Sequence, residues 1–498
     1  METRTTCTTR SPASTRQCLK SVLMVALGVV IAVGAPVRAT TPIVATGDPS
    51  TDFEAIQSAL DAGGEVILRN GPGGEIFNLE GINKSLSITA NVTLRGQDDA
   101  VGNKARIRAY NSTLVPTPWG DESLAISVNN SGGTVELENL DIESNARRII
   151  LIGDVFPLTS RDVCKDFTIR DCNIVGTHGE ASCIETWSGV TGTLYLEGNH
   201  ILGHWCAGDW ASWFTTYMSS CQWEVYSNTL VGSNTCLAAV TSKGIKFENN
   251  RCEGPVILTA QATQGEIVIK NNIMIQSGHN VFEGNNAAGL FVSHWEGFSG
   301  GEISGNTIDM NPSEAVEITG VLAITLADYL AFRGAHGLLV QDNTITGQAD
   351  AAIWLDNGAC DNIIRRNNIE NFTAVRFSVN GAAQMAVAAT CHDNVFRGNI
   401  IGSLGSGAFA AVACWGDNND FIRNDYTQSN APGLAVGGIP CVWLANSYDP
   451  DTGNLAAEPE NNLVFEANCL PPGTTVAEQV LDDPRKQTGS TTNIVVGH

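Results

Sequence analysis

Leu194-Tyr195-Leu196-Glu197-Gly198-Asn199-His200-Ile201 decides how the rest of the chain is read. It is a short alternating strand followed by an Asn, any residue and an apolar residue. The phrase returns at Val225-Tyr226-Ser227-Asn228-Thr229-Leu230 and again at 245–252, 267–274, 303–308, 338–345, 363–369, 395–401, 421–426 and 464–470, often with a Gly shortly after. Its anchors are Asn199, Asn228, Asn250, Asn272, Asn306, Asn343, Asn367, Asn399, Asn424 and Asn468, and Leu140 and Cys172 take the same place in two earlier copies. The spacing runs from 22 residues, as between Asn228, Asn250 and Asn272, to 44 between Asn424 and Asn468. Periods of this size imply a solenoid.

One turn of such a chain cannot bury its apolar side, whereas a stack of turns can. Each strand then pairs with its equivalent one coil away, about 4.8 Å distant. The anchor Asn is expected at the bend, because Asn tolerates the left-handed conformation. Stacked Asn amides can also bond one another along the stack. A leucine-rich repeat would need leucines on a tighter period, and a β-sandwich would not repeat one Asn phrase. Before the repeats, Thr51-Asp52-Phe53-Glu54 reads as a capping box with Thr51 as N-cap. Phe53, Ile56 and Leu60 share one helix face, Gly63-Gly64 stops the helix, and Val66-Ile67-Leu68 begins a strand.

The repeat resembles that of the right-handed parallel β-helices of the pectate-lyase-like superfamily. Asp52-Phe53-Glu54-Ala55-Ile56-Gln57-Ser58-Ala59-Leu60-Asp61 with Gly64-Glu65-Val66-Ile67-Leu68 is similar to that superfamily's capping helix and first strand. The resemblance implies an all-β, single right-handed parallel β-helix. It is expected over 66–470, after an export signal at 1–39 and a capping segment at 40–65, with a tail at 471–498. The superfamily's catalytic patterns do not carry over. No set of Asn-x-Asp, Asp-Asp, Gly-His-Gly and Arg-x-Lys exists. Asp98-Asp99 and Asp482-Asp483 lie near the ends, and the nearest match to Gly-His-Gly is Thr177-His178-Gly179-Glu180. The Arg-Pro context of classical pectate lyases and epimerase signatures are absent as well.

Export is read from Arg4, Arg10, Arg16 and Lys20, an apolar run over 21–36, and Val37-Arg38-Ala39 as a small-residue cleavage site. The run is shorter than the roughly 20 residues that a spanning helix needs, so no membrane insertion is expected once it is removed. Cleavage would place the protein outside the cell or in the periplasm. The formal net charge is -24; removing five basic groups and one acidic group (Glu2) makes it -28. Such acidity argues against nucleic acid and anionic membranes as partners. It also serves simply to keep an exported protein soluble. A monomer is expected.

A second strand, about 11 to 14 residues before each anchor, is expected to line one outer face. That reading gathers Glu185 and Trp187, then Trp213, Thr215 and Tyr217, then Thr259 and Gln261, then His294, Trp295 and Glu296, then Trp354 and Asp356. Flat aromatic rings beside carboxylates suit a sugar ring; the other reading has these aromatics filling the core. Between Asn199 and Asn228 lies an aromatic stretch of His204, Trp205, Asp209, Trp210, Trp213, Tyr217 and Trp223, flanked by Cys206 and Cys221. It is either a wall of a cleft or a plug over a coil. Arg147-Arg148 would meet a uronate carboxylate or form surface ion pairs. Asp449-x-Asp451-x-Gly453-Asn454 lacks the sixth-position Gly and the twelfth-position acid of a calcium loop. No Cys/His set has zinc spacing, so no metal is assigned and the cofactor is unknown.

Twelve cysteines follow the export signal. Cys360, Cys391 and Cys414 fall 7, 8 and 10 residues before their anchors. Equivalent places on neighbouring coils are close enough for a disulfide. The pairs expected are Cys360–Cys391, Cys414–Cys441 and Cys206–Cys221, against a row of buried free thiols.

The function expected is that of a carbohydrate-active protein acting on an extracellular polysaccharide. Hydrolysis would use paired carboxylates, Glu185 with Glu180 or Asp209. Elimination would use His178, His204 or Tyr217 as the base for the proton α to a uronate. Trp187, Trp210, Trp213, Tyr217, His294, Trp295 and Asp356 would hold the glycan. The alternative is a non-catalytic exported β-helix with a glycan-binding or surface-structural role.

Overall fold

A computed structural model describes residues 41–117, 120–153, 164–186, 190–209, 221–254, 256–260, 267–275, 289–294, 300–310, 322–326, 335–349, 351–355, 358–374, 382–387, 391–402, 408–414, 416–425, 442–444, 463–464, 480–482 and 494–495. The expected export signal and Asn468 lie outside them. Three columns of parallel strands run the length of the described chain. The first column has 16 strands, from Ile43–Val44 through Gly64–Arg69, Thr193–Glu197 and Ile363–Arg365 to Ile494–Val495. The second includes Ala105–Arg108, Leu140–Ser144 and Asn173–Gly176, and the third Gly120–Val128, Arg148–Ile152 and Ser182–Thr186. Two long strands, His200–Asp209 and Thr229–Ser242, belong to both of the latter columns. Among the described pairings only the hairpin Thr113–Thr117 with Gly120–Val128 is antiparallel. Pairing continues past residue 470, at Val442–Leu444 with Val480–Asp482 and Leu463–Val464 with Ile494–Val495, inside the segment expected as a tail.

The anchor asparagines form an unbroken ladder. Each Nδ2 from Asn199 to Asn399 donates to Oδ1 of the next anchor, ending on Asn424, at 2.9–3.1 Å. The same Oδ1 also accepts the backbone N–H of the preceding anchor, and the second Nδ2 hydrogen goes to a backbone carbonyl, as Asn250 does to Val225 at 2.9 Å. Every polar atom of these buried amides is therefore used, which is the condition for burying them. Cys172, in the anchor place, begins the ladder by donating its N–H to Asn199 Oδ1 at 2.9 Å. The expectation that the anchors themselves are left-handed is corrected: the residue before each anchor is. Ser227, Asn249, Asn271 and Asp342 have φ of 56–58°, and glycines serve at 198, 305 and 398. The backbone turns at that residue, so the Asn that follows can aim inward. A second, shorter ladder, which the sequence reading missed, links Leu338 N–H to Asn362, Asn394 and Asn419 at the entry to the first column.

Strand alternation sends apolar residues inward in stacked files, such as Ile169, Leu196, Val225, Phe247, Ile269 and Ile303. Phe396 and Phe421 stack there with centroids 4.9 Å apart. The helix Pro49–Ala62 lays Phe53, Ile56 and Leu60 against the first coils. Its N-cap is Asp48, whose Oδ1 accepts the Thr51 N–H at 2.8 Å, so the helix starts earlier than the Thr51 cap expected. Pro49 takes the first helical position, where its missing N–H costs nothing. Buried Asp52 fastens the entering chain by accepting from Thr46 and Gly47 N–H at 2.9 and 3.0 Å.

Candidate functional site

Register aligns Arg148, Ser182, Trp205 and Thr235 on successive coils at the start of the third column. Arg147, Glu180, His204 and Ser233, one or two places before them, make one polar ridge along the corner through the contacts Arg147–Glu180 and His204–Ser233. Arg147 pairs with Glu180 across neighbouring coils and with Glu122 at 2.7 Å. His204 Nδ1 lies 2.8 Å from Ser233 Oγ, and its ring packs on Trp205 with centroids 4.8 Å apart. His178 Nδ1 accepts the Glu180 N–H at 3.1 Å, which holds the exposed turn in shape. Backbone bonds from His204 and Trp205 N–H to Ala181 carbonyl, both 3.0 Å, lock this corner to the coil before it.

Beneath the ridge is a buried ion-pair network. Arg148 donates to Glu122 Oε2 through Nε and Nη2 at 2.7 and 2.6 Å, and to Glu185 through Nη1. Arg148, Glu122 and Glu185 are 3%, 7% and 2% exposed. Burial lowers the Arg148 guanidinium from its ordinary value, and Glu122 opposes that shift. Such an arrangement holds because each charge has partners; removing one would strand the others. Glu122 joins the two layers, because its second oxygen takes Arg147.

Burial lowers the His204 imidazole below its usual range, with Glu180 pulling upward and Arg147 downward. Near neutral pH His204 is therefore a neutral base, half-buried beside a cation. The ridge combines a base, a guanidinium for an anionic group, a carboxylate and an indole surface.

The structure brings together His178, Glu180 and His204 of the residues expected at the site. Glu185 takes the file of Leu151 and Gly208, which alternates with the core residues Ile150, Ile184 and Ala207, but it is not open to solvent, being buried and paired with Arg148. Asp209 and His294 end strands in register with Thr186 and Ala260, and their side chains lie outside the description. Trp187, Trp210, Trp213, Tyr217, Trp295, Asp356 and the 449–454 loop lie outside the described residues. Trp223 leaves the expected aromatic wall altogether; it is fully buried in the strand Gln222–Tyr226. Glu122 and Ser233 stand outside the repeat phrase and carry no role in the sequence reading. Arg148, expected with Arg147 to meet a uronate carboxylate or form surface ion pairs, is instead buried.

No disulfide joins two of the described cysteines. Register pairs Cys360 with His392, one residue past Cys391, so Cys391 turns into the core while Cys360 stays partly exposed. Cys360 lies seven residues before its anchor and Cys391 eight before its own, and a one-residue slip reverses the face of a strand residue. Cys206 is stacked toward Cys183 and Cys236 in the core and Cys221 lies just before the first-column strand Gln222–Tyr226, so the Cys206–Cys221 closure is not formed. Cys414 pairs in register with Val387 and Leu444, and Cys441 lies outside the described residues.

Residues 217–447 match the family model described as right handed beta helix region, which fixes the handedness expected from the repeat. No protein among the curated sequences matches the chain. Among solved structures, the A-module of Azotobacter vinelandii mannuronan C-5 epimerase AlgE4 is 13% identical, with a TM-score of 0.38, covering 91% of this chain and 98% of that one. A mannuronic acid specific polysaccharide family 6 lyase from human gut microbiota is 12% identical with a TM-score of 0.37, covering 89% and 91%. DFA-IIIase from Arthrobacter chlorophenolicus A6, in complex with GF2, is 11% identical with a TM-score of 0.33, covering 92% of each chain.

Proposed function

We propose that this right-handed parallel β-helix is an exported carbohydrate-active protein that cleaves an extracellular polysaccharide by elimination at the corner ridge. The observation that carries the reading is His204, a half-buried imidazole biased toward its neutral form and set beside Arg147. Elimination needs a base for the proton α to a uronate carboxylate and a cation to stabilise the charge that then develops. His204 would take the proton, Arg147 would face the carboxylate, and Trp205 would support a sugar ring. Glu185 is committed to Arg148, which suits a positioning role better than that of a proton-donating acid in hydrolysis. A non-catalytic, glycan-binding reading draws on one further observation: Arg147 and Arg148 are already paired within the protein.

Incubating the purified protein with a polysaccharide panel separates these readings. Elimination produces new absorbance from unsaturated uronates, and hydrolysis produces reducing ends without it. His204→Ala should abolish the absorbance while the Tm stays close to wild type. Because His204 must be neutral to act, and burial lowers its pKa, the acid limb of kcat/KM should fall below the ordinary histidine value of about 6.5. Binding with no product on any substrate would remove the catalytic reading.

A further inference from the structure

The corner ridge carries one cation that reaches solvent. Its members Ser123, Arg147, Glu180, His204 and Ser233 belong to five successive coils, about 4.8 Å apart. Arg147 is the only Lys or Arg among them, and its backbone N–H donates to Ser123 Oγ at 2.9 Å. Its guanidinium is held from two sides: Nε meets Glu122 Oε1 at 2.7 Å, and Nη1 meets Glu180. Nη2 has no partner among the described residues, and the side chain is 25% exposed. Arg148, beneath, is buried between Glu122 and Glu185 and out of a ligand's reach. The corner therefore sets two guanidiniums against three carboxylates, and the exposed member of the five is Glu180, whose side chain is 58% open. His204 and Ser233 continue the ridge as hydrogen-bonding groups, 2.8 Å from each other.

We propose that the ridge selects a glycan in which single uronates alternate with uncharged sugars, and that Glu180 is the residue that rejects a run of adjacent uronates. This rests on the elimination reading of the ridge and names its substrate class. One carboxylate can dock on the Nη2 edge of Arg147 through a charge-assisted hydrogen bond. Docking there breaks no bond that the structure shows. A second carboxylate, on an adjoining sugar, finds Glu180 on one side and no further cation in the file. Like charges at such spacing repel, and the net charge of -24 adds to the repulsion. The hydroxyls of an uncharged sugar suit the same places: they donate to the Glu180 carboxylate and exchange hydrogen bonds with His204 and Ser233. Specificity thus comes from rejection as well as attraction. Glu122 takes part as a positioning residue, because its hold on Nε leaves the Nη2 edge of Arg147 to the ligand.

Isothermal titration of the purified full chain carrying His204→Ala, so that no ligand is consumed, tests the selection. The probes are size-matched oligosaccharides of two classes. Hyaluronan and unsulfated chondroitin alternate a uronate with an uncharged sugar; oligogalacturonate and oligomannuronate carry a carboxylate on every sugar. We expect an alternating glycan to bind at least about fivefold more tightly than either homo-oligouronate at low salt, with the gap closing as salt is raised. Adding Glu180→Gln should tighten the homo-oligouronates about twofold to fivefold and leave the alternating class nearly unchanged. Adding Arg147→Gln should weaken both classes, with circular dichroism unchanged. Homo-oligouronates that bind as tightly as the best alternating glycan, no binding by either alternating glycan, or a Glu180→Gln effect equal for both classes overturns the proposal. Absorbance from unsaturated uronates with the wild-type chain reports on elimination separately. Selective binding without that absorbance would reject elimination and leave the charge selection standing.

Discussion

An asparagine in the ladder does two jobs that no other residue can combine. Its Oδ1 accepts two N–H groups from one neighbouring coil, and its Nδ2 donates into the other coil and to a carbonyl. Asn272→Ala would leave the Asn250 Nδ2 and backbone N–H without their acceptor and the Phe247 carbonyl without its side-chain donor, while Asn306 Oδ1 would keep only the backbone N–H of residue 272. At about 1–3 kcal/mol for each stranded group, the loss should be at least about 3 kcal/mol. A midpoint in urea no lower than that of Thr229→Ala, a half-buried control just after the anchor Asn228, would refute that role. The residue before the anchor makes the complementary test. Ser227 sits at φ 56°, so Ser227→Gly should raise stability by roughly 0.5–1 kcal/mol and Ser227→Val should lower it by 1–2 kcal/mol, order-of-magnitude values for relieved and added strain. The anchor positions were legible because Asn recurs. The bend one residue earlier was not, since Gly, Ser, Asn, Asp and Arg all serve there and share no side-chain chemistry.

At the scale of the element, the third column's entry holds together two layers of charge with different roles. Arg148→Met leaves Glu122 and Glu185 buried without their shared cation, and the expected cost is about 3–5 kcal/mol. Replacing Arg148, Glu122 and Glu185 together by apolar residues of similar volume should recover most of it. Thermal unfolding of the single and triple variants measures both; equal Tm values for the single variant and wild type would show that the network is unimportant. Glu185→Gln should likewise lower the Tm, because Arg148 loses a charged partner, and loss of activity in that variant alone does not assign a chemical step. The columns were readable from alternation, as in Thr193–Glu197. The contents of this corner were only partly so. His178, Glu180 and His204 come together as residues from two successive coils, but Glu122 enters from a hairpin strand that the repeat phrase does not announce. The expected Cys360–Cys391 pair fails because Cys391 lies one residue farther from its anchor than Cys360 does, which is enough to turn it to the other face.

Across the whole molecule, stability is built from contacts between neighbouring coils, so the ends are where it is most exposed. The helix Pro49–Ala62 covers one of them. Its removal would uncover Phe77, Leu86 and Ile88 on unpaired strand edges, the arrangement that invites edge-to-edge association. A chain beginning at residue 64 should therefore elute as higher oligomers in size-exclusion chromatography, whereas Asp52→Asn, which loosens only the entering segment, should stay in the wild-type peak with a lower Tm. A monomeric truncated chain would show that the helix is dispensable. The ladder has an overall consequence of its own. Its amides all point the same way, with oxygens toward the N-terminal coils and N–H groups toward the C-terminal ones. Their dipoles add and polarise one another along the axis. The solenoid thus carries a built-in electrical polarity inside a strongly acidic shell, and each added coil would extend that polarity in the same sense.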